Sequence, residues 1–208
     1  MRPQADIWDD HYRSGNPAWK GSPFPLPDLP RGSRILEVGC GTGSTIIQAA
    51  ELGYDVTGMD ISPAAVSLAG KRLERRGIAA NVVVGDITNY NPDEGEFRGI
   101  LLHHVLSSMT GSDRISAVKR SMELLKSGGV ISFQDFSVED MRYGQGEPVE
   151  KNTYRKGNGL ICHFFIVEEV SDLFADLETV KLTIGRWPQR TGEGMKDRVR
   201  IVGIFQKT

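Results

Sequence analysis

The stretch ILEVGCGTGS, residues 35–44, combines residue types that could hold a ligand against a loop. It has three glycines at alternate positions, and such glycines let a ligand or another segment come close to the backbone. A dinucleotide-binding loop requires the pattern G-x-G-x-x-G. Counted from Gly39 the sixth residue is Ser44, and counted from Gly41 it is Ile46, so neither frame fits. The sequence therefore does not predict a dinucleotide loop.

An acidic residue ends each of the first three predicted strands. Because ligands bind at the carboxyl edge of parallel sheets, these residues should meet in one site. Glu37, beside the glycine loop, would repel phosphate and suits a cationic ligand. Asp60 can bind both hydroxyl groups of a ribose. Asp86 can read the amino group of an adenine while Ile87 packs on the ring, and Ile61 belongs to the same predicted site. The set describes a nucleoside with a cationic tail and no phosphate.

Strands and helices alternate along most of the chain, which predicts a doubly wound α/β sheet. Residues 1–33 are expected to be irregular, because five prolines lie between Pro17 and Pro30. Ser62 and Pro63 predict a helix start, as N-cap and first helical residue. The predicted strands are 34–38, 55–59, 80–86, 99–103, 130–136, 177–186 and 198–206, and the predicted helices are 44–52, 62–77, 113–125 and 167–174.

The last two predicted strands have a short link between them, WPQRTGEGMKD. No helical crossover fits there, so these strands must pair antiparallel. In the helix 113–125 an apolar stripe of Ile115, Val118, Met122 and Leu125 is expected to face the core. The fold prediction is a Rossmann-like, seven-stranded mixed sheet with its last two strands antiparallel. We predict one domain, 1–208, divided into an N-terminal lid (1–33), a cofactor-binding half (34–136), a substrate-side segment (137–165) and a C-terminal helix with a hairpin (166–208).

Four motifs resemble those of class I S-adenosylmethionine-dependent methyltransferases, over residues 34–206. They are ILEVGCGTG, GMDIS, GDI and LLKSGG, in the family's order and spacing. The resemblance implies S-adenosyl-L-methionine as the cofactor and a transferase that methylates an acceptor. One departure is Arg98 after Phe97, where the family usually has an acidic residue.

The chain also resembles a narrower group, the methyltransferase-like enzymes that make 3-methylcytidine in tRNA. The matching pieces are Trp8-Asp9-x-x-Tyr12, HVLSSM with GSDR, FQDFSVEDMRYG, NTYRKGNG with HFF, and VRIVGIFQ. This likeness implies that Trp8 and Tyr12 close over the cofactor and that His103 lines it. The alternative for Trp8 and Tyr12 is simple hydrophobic anchoring of the N-terminus.

Departures from the narrower group fall on the substrate side. That group has Arg where Gln134 stands, Arg-x-Asp-Gly where residues 156–159 read KGNG, and a longer N-terminal region that helps to hold tRNA. Loss of an Arg removes a bidentate contact to phosphate or base. Asp135 could accept a proton or hold an amino group, and Tyr154 could stack on a flat substrate. The alternatives are a turn cap for Asp135 and core packing for Tyr154.

Composition limits the partners of the chain. It has 208 residues, 39% hydrophobic and 25% charged, with a net charge of −2. Residues 181–208 carry +5, which suits RNA phosphates or a solvated hairpin, and the rest carries −7. Two distant cysteines and the lack of an apolar leader or span predict a cytoplasmic protein without membrane contact. The four histidines lack metal-like spacing, so no metal is expected.

Three functions are open from the sequence. The chain could methylate tRNA, with cytosine N3 as the leading candidate, or it could methylate a small metabolite. The third possibility is a non-catalytic partner subunit that binds the cofactor.

Overall fold

A mixed seven-stranded sheet with flanking helices forms the body of the protein in a computed structural model, which describes residues 3–15, 25–92 and 97–208. Along the sheet the strands lie in the order β3-β2-β1-β4-β5-β10-β9. The first five strands are parallel, and β10 pairs antiparallel with both β5 and β9. The predicted fold is confirmed. The strands of this sheet are β1 (Arg34–Val38), β2 (Asp55–Asp60), β3 (Asn81–Val84), β4 (Phe97–His103), β5 (Leu125–Phe136), β9 (Glu178–Thr191) and β10 (Gly194–Gln206).

In the described part of the chain, five α-helices flank or cover this sheet, and α3 shows how the sequence sets the ends of a helix. The Ser62 hydroxyl group accepts a hydrogen bond from the Ala65 N–H, Pro63 is the first helical residue, and Gly77 ends the helix in a left-handed conformation. These are the preferred N-cap, N1 and C-terminal residues of a helix. The helices are α1 (Gln4–Arg13), α2 (Ser44–Glu51), α3 (Pro63–Arg76), α4 (Gly111–Leu124) and α5 (Val167–Leu173).

The main core lies between one face of the sheet and the helices α4 and α5. Phe174 stacks on Phe205 with ring centroids 4.2 Å apart, and Phe133 packs edge-on against Phe165 at 5.4 Å. All four rings are buried. Burial of each such side chain contributes about 1.5–3 kcal/mol, so this face fixes the sheet on which the carboxyl edge is built.

A second, three-stranded sheet occupies the polar segment after β5. Its strands are β6 (Glu147–Glu150), β7 (Thr153–Arg155) and β8 (Ile161–His163), in that order and antiparallel. It lies over the carboxyl edge of the main sheet, because Val138 N–H donates to Phe165 O and Ser137 forms a bridge with Phe165. The substrate-side segment is therefore ordered structure.

Three sequence expectations were wrong. Residues 1–33 are not all irregular, because Gln4–Arg13 is a helix. The link WPQRTGEGMKD is not a loop: it belongs mostly to β9 and β10, whose pairing reaches Thr191 and Gly194. Ile115 does not face the core, since its side chain is 62% exposed, while Val118 is buried as expected.

Candidate functional site

The glycine loop after β1 is shaped by three left-handed residues. Gly39, Gly41 and Gly43 have φ angles of 72°, 52° and 78°, where side chains are strained. A Cβ atom at Gly39 would stand 3.0 Å from Val105, and one at Gly41 would stand 2.8 Å from the Tyr12 hydroxyl oxygen. The loop thus needs glycine both for its backbone and for the close approach of neighbouring segments.

Asp60 connects the glycine loop to the start of α3. Its Oδ2 atom accepts a hydrogen bond from Gly41 N–H at 2.8 Å, and its Oδ1 atom accepts one from Ser62 N–H at 2.9 Å. The side chain is buried, and burial raises the pKa of its carboxyl group although these backbone bonds oppose the rise. Each carboxylate oxygen keeps a second lone pair, so Asp60 can still accept hydroxyl groups of a ligand.

Glu37 is a buried acid with one oxygen atom left open. Burial raises the pKa of its carboxyl group to about 8, against the opposing hydrogen bonds from Thr45 and from the backbone of Ile46. Its Oε2 atom has no hydrogen-bond partner among the described residues. A buried, unpaired acceptor is costly, and a cationic or hydrogen-bond-donating ligand would remove that cost. Glu37 therefore fits a ligand with a cationic tail.

Asp86, after the third strand, is only partly available to bind a ligand. Asp86 closes a turn, because its Oδ1 atom accepts bonds from the Thr88 N–H and hydroxyl groups at 2.9 Å each. Ile87 is buried within the main core, whereas Ile61, directly after Asp60, is exposed. Ile61 is thus better placed than Ile87 to offer an apolar surface to a planar ring. The adenine contacts of Asp86 and Ile87 stay predictions.

Helix α1 covers the glycine loop. Tyr12 is its one buried side chain, and burial raises the pKa of its hydroxyl group. Trp8 lies 6.0 Å from Tyr12 between ring centroids. Asp9 holds the helix down, because its Oδ1 atom accepts bonds from the Ser62 hydroxyl at 2.9 Å and from Ala64 N–H at 2.8 Å. The sequence motif contained Asp9, but its bonds to α3 could not be seen from spacing.

The other end of α1 contacts the three-stranded sheet. The Gln4 side chain donates to Gly159 O at 3.2 Å and accepts from Ile161 N–H at 3.3 Å. A Cβ atom at Gly159 would stand 3.3 Å from Ile7. Helix α1 therefore connects the glycine loop with the turn between β7 and β8.

His103, at the end of β4, is buried. Its Nε2 atom lies 2.8 Å from the Ser132 hydroxyl group. Burial lowers the pKa of the imidazole to about 3, with a further lowering by His104, so the ring is neutral at physiological pH. A neutral imidazole suits a place near a cationic ligand, but the lining of the cofactor by His103 stays a prediction.

His104, which the sequence analysis did not single out, lies between β4 and the end of β5. Its φ angle is 56°, unusual for a residue with a side chain. Its Nδ1 atom lies 3.3 Å from Asp135 Oδ1, within hydrogen-bond distance of that carboxyl oxygen. Its Nε2 atom lies 3.2 Å from Gln134 Nε2, and its ring stacks on Phe136 at 4.2 Å. In the sequence, the pair of adjacent histidines at the end of the fourth predicted strand was the signal that could have pointed to His104.

Asp135 is fully buried beneath His104. Besides the histidine, it accepts bonds from Ser107 N–H at 2.9 Å and from Phe136 N–H at 3.0 Å. With a side-chain exposure of 0%, it is placed to orient His104 and the turn after β4.

Tyr154 lies apart from this pair, on β7, and packs edge-on against Tyr143 at 5.5 Å and near Phe164 at 6.2 Å. Both catalytic assignments stay predictions.

Comparisons with known proteins agree with this architecture. Residues 35–129 match the profile of a family described as a methyltransferase domain. The tRNA N(3)-cytidine methyltransferase METTL2B of Homo sapiens is 32% identical over an alignment of 166 residues, which covers 74% of this chain. The chain spans 44% of the length of that relative.

Solved structures share the fold. A SAM-dependent methyltransferase from Methanosarcina mazei superposes with a TM-score of 0.73 at 24% identity, covering 86% of this chain and 94% of that one. The 1,6-didemethyltoxoflavin-N1-methyltransferase of Burkholderia thailandensis, with 1,6-didemethyltoxoflavin and S-adenosylhomocysteine bound, gives 0.64 at 20% identity, covering 100% and 78%.

Two further observations concern partners. Within residues 3–15, 25–92 and 97–208, no group of three or more His, Cys, Asp or Glu side chains could hold a metal ion. No helix in that part of the chain is long and apolar enough to cross a membrane.

The profile match covers the glycine loop, Asp60 and Asp86, which are the residues around which the candidate site is built. The sheet order, the loop geometry and the related sequences agree with one another, and they bear out S-adenosylmethionine as the cofactor class of this domain. Residues 35–129 of this chain match a methyltransferase domain, and the chain has the fold of SAM-dependent methyltransferases.

Proposed function

We propose that the protein transfers a methyl group from S-adenosylmethionine to an acceptor at the carboxyl edge of its main sheet. The observation that carries the proposal is the open Oε2 atom of buried Glu37 beside a left-handed glycine loop. A phosphate-binding loop would place backbone N–H groups there without an acid. A cationic nucleoside derivative suits the acid.

The residues around the loop divide the binding of the cofactor among them. Asp60 would accept the ribose hydroxyl groups, and Ile61 with Asp86 would contact the adenine. Trp8 and Tyr12 on α1 would cover the ligand, where an aromatic face near a sulfonium adds cation–π attraction. When bound, S-adenosylmethionine supplies an activated methyl group, so the chain has mainly to position the acceptor and exclude water.

A tRNA base is the acceptor that the sequence relatives favour. The related human protein carries tRNA N(3)-cytidine methyltransferase in its name. The surfaces available here for a flat base are the ring of His104 at the end of β4 and Tyr154 on β7. His104 is held by Asp135 and Phe136, so its ring is oriented before any acceptor arrives. We propose cytosine N3 as the leading acceptor atom.

A small metabolite is the second candidate acceptor, and the hairpin β9–β10 provides the observation for it. Much of its positive charge is matched within the chain: Arg186 pairs with Glu139, Lys196 with Glu193, and Arg198 with Asp140. Paired cations release fewer counterions on binding RNA. The likeness to a methyltransferase with 1,6-didemethyltoxoflavin bound agrees with a flat, nitrogen-bearing metabolite, at the level of the fold.

A cofactor-binding subunit without activity is the third candidate. It predicts binding of S-adenosylmethionine and no methyl transfer by the isolated chain. The orientation of His104 by Asp135 argues for a reacting site, because a binding subunit has no need of a strained, oriented residue beside the cofactor.

Transfer of labelled methyl from S-adenosylmethionine into total tRNA, compared with a small-molecule extract, separates these candidates. Label in tRNA that is recovered as methylated cytidine supports the leading acceptor. Label only in the extract selects the metabolite. A control variant, Asp60→Ala, should abolish label in both. If the protein binds the cofactor but labels neither pool, the activity proposed here is wrong and the subunit reading replaces it.

A further inference from the structure

A row of aromatic and arginine side chains continues from His104. Phe136 stacks on His104 at 4.2 Å, and the Arg142 guanidinium carbon lies 3.9 Å from the Phe136 ring centroid. The Arg198 guanidinium lies 5.5 Å from the same ring and 5.5 Å from the Trp187 ring. Arg200 lies 5.0 Å from Trp187. We call Arg142, Arg198 and Arg200 the arginine cluster.

Arg142 and His104 must lie on opposite faces of Phe136. Two flat groups centred about 4 Å above one ring face would overlap, because van der Waals contact between carbon atoms is about 3.5–4.0 Å. The order His104, Phe136, Arg142 is therefore a three-layer stack. It begins at the end of β4, where the acceptor is expected, so Arg142 is two layers from that position.

Asp140 orients two members of the cluster. Its Oδ1 atom accepts from Arg142 Nε at 2.7 Å, and its Oδ2 atom accepts from Arg198 Nε at 2.9 Å and from Val199 N–H at 3.0 Å. Burial would raise the pKa of this carboxyl group, but the bonds from Arg142, Arg198 and Val199 hold it below its ordinary value. Asp140 therefore stays ionised and fixes both guanidinium planes.

The charge of the cluster exceeds what its carboxylate neutralises. Two guanidinium groups, those of Arg142 and Arg198, share the single carboxylate of Asp140, and the neighbouring acid Glu139 pairs instead with Arg186. The Arg142 Nη2 atom is buried and has no hydrogen-bond partner within the described part of the chain. The side chain as a whole is 25% exposed, so other atoms of Arg142 reach the surface although Nη2 is enclosed. A guanidinium fixed in this way and partly exposed matches the oxygen atoms of an anion.

We propose that the arginine cluster binds a phosphate group of the methyl acceptor, with the partly exposed Arg142 side chain as a direct donor. The inference rests on the proposed function for the identity of the acceptor. The phosphate can belong to an RNA backbone or to a phosphorylated small molecule, since both present the same oxygen atoms. The aromatic rings of Phe136 and Trp187 stiffen the arginines, which lowers the entropy lost on binding.

Binding of cytidine, cytidine monophosphate and an RNA anticodon stem-loop tests the assignment. We expect the monophosphate to bind about tenfold or more tightly than cytidine, as a charge-assisted hydrogen bond requires. Arg142→Gln should abolish this preference. For the stem-loop, the slope of log affinity against log salt should fall in magnitude by about 0.7–0.9 in Arg142→Gln. Arg142→Lys keeps the charge, so it should keep most of the slope while losing affinity.

Arg75→Gln is the matched control, because Arg75 is exposed on α3 and its side chain donates to a carbonyl group of its own helix. It should leave all three ligands unaffected. Affinity for S-adenosylhomocysteine and the thermal unfolding midpoint report whether each variant is folded, and Arg200→Gln is a second test variant if Arg142→Gln is unstable.

Equal affinities for cytidine and its monophosphate, with an unchanged RNA salt slope in Arg142→Gln, overturn the proposal. Stem-loop binding alone selects the RNA backbone as the source, and binding of the monophosphate alone selects a phosphorylated metabolite. Loss of S-adenosylhomocysteine binding by the unmodified protein would instead count against the proposed function.

Discussion

The hydroxyl oxygen of Tyr12 lies so close to Gly41 that a Cβ atom at Gly41 would stand 2.8 Å from it. This contact joins α1 to the glycine loop, whose next contact is the bond from Gly41 N–H to Asp60. A residue 29 positions away in sequence thus touches the loop. The contact explains why glycine is needed at this position beyond its backbone conformation.

Gly41→Ala should destabilise the fold and weaken cofactor binding. At a φ of 52° an alanine costs about 1–3 kcal/mol, and its methyl group would also push Tyr12 away. Denaturant unfolding and calorimetry with S-adenosylhomocysteine measure the two effects. Adding Tyr12→Phe removes the contacting oxygen, so the double variant should recover part of the stability. An equal loss in the single and double variants would show that the tyrosine contact contributes nothing.

Asp60→Asn should weaken cofactor binding much more than it weakens the fold. The amide has one acceptor oxygen where the carboxylate has two, so one of the bonds from Gly41 and Ser62 is lost, at about 1–3 kcal/mol. Each lost ribose hydroxyl contact to a charged acceptor costs a further ~1.5–3 kcal/mol of affinity. Asp55→Asn, at the other end of β2, is the matched control, since its side chain is exposed. Calorimetry that finds unchanged affinity in Asp60→Asn would overturn the ribose assignment.

Helix α1 should exchange its amide protons more slowly when the cofactor is bound. Among the described residues it is held by single side chains such as Tyr12 on the loop, Asp9 on α3 and Gln4 on the β7–β8 turn. Such a segment opens at low free energy, and a ligand beneath it should stabilise it. Hydrogen exchange of residues 4–13 with and without S-adenosylhomocysteine checks this. The predicted lid also included residues 16–24, which lie outside the described residues. Equal protection in both states would mean that α1 is no lid.

The sequence predicted the main sheet because buried parallel strands and glycine-ended helices have strong local signals. It missed α1 because that helix is held by side-chain bonds from Asp9 and Gln4 to distant segments, and no local pattern records such bonds. It missed the outer half of β9 because Pro188 and the glycines beyond it suggested a loop. Pro188 is tolerated there because β9 is an edge strand, which pairs only with β10.

The candidate site divides in the same way. The positions of Glu37 and Asp60 at the ends of β1 and β2 can be predicted from strand periodicity. The different surroundings of their two carboxyl groups cannot be predicted in this way. Nothing in the spacing shows that Asp60 is bonded on both oxygens while Glu37 keeps one open. His104 escaped notice because its orientation depends on Asp135 and Phe136, which come from another strand.

Stability of the free protein should fall as pH rises from about 4.5 towards 8, in part because of Glu37. The folded pKa of its carboxyl group is about 8, above the ordinary value of 4.5, so the folded state binds more protons in this interval. By linkage, stability is then lost with rising pH, at up to about 1.4 kcal/mol per pH unit. Unfolding free energies of the unmodified protein and of Glu37→Gln should therefore converge at low pH and diverge by pH 8, with the variant more stable. Glu51→Gln, at an exposed site, should show no such divergence. Parallel curves for the unmodified protein and Glu37→Gln would contradict the raised pKa.

Cofactor binding should release a proton from Glu37 at neutral pH. A cation beside the open Oε2 atom favours the ionised carboxylate, so affinity for S-adenosylmethionine should rise with pH by up to about tenfold per unit until pH 8. Calorimetry in two buffers of different ionisation enthalpy counts the released proton, and Glu37→Gln should release none. S-adenosylhomocysteine, which lacks the sulfonium charge but keeps the amino group, locates the contact. Proton release with both ligands places the amino group at Glu37, and release with S-adenosylmethionine alone places the sulfonium there. If neither ligand releases a proton from the unmodified protein, Glu37 does not face the cationic end of the cofactor.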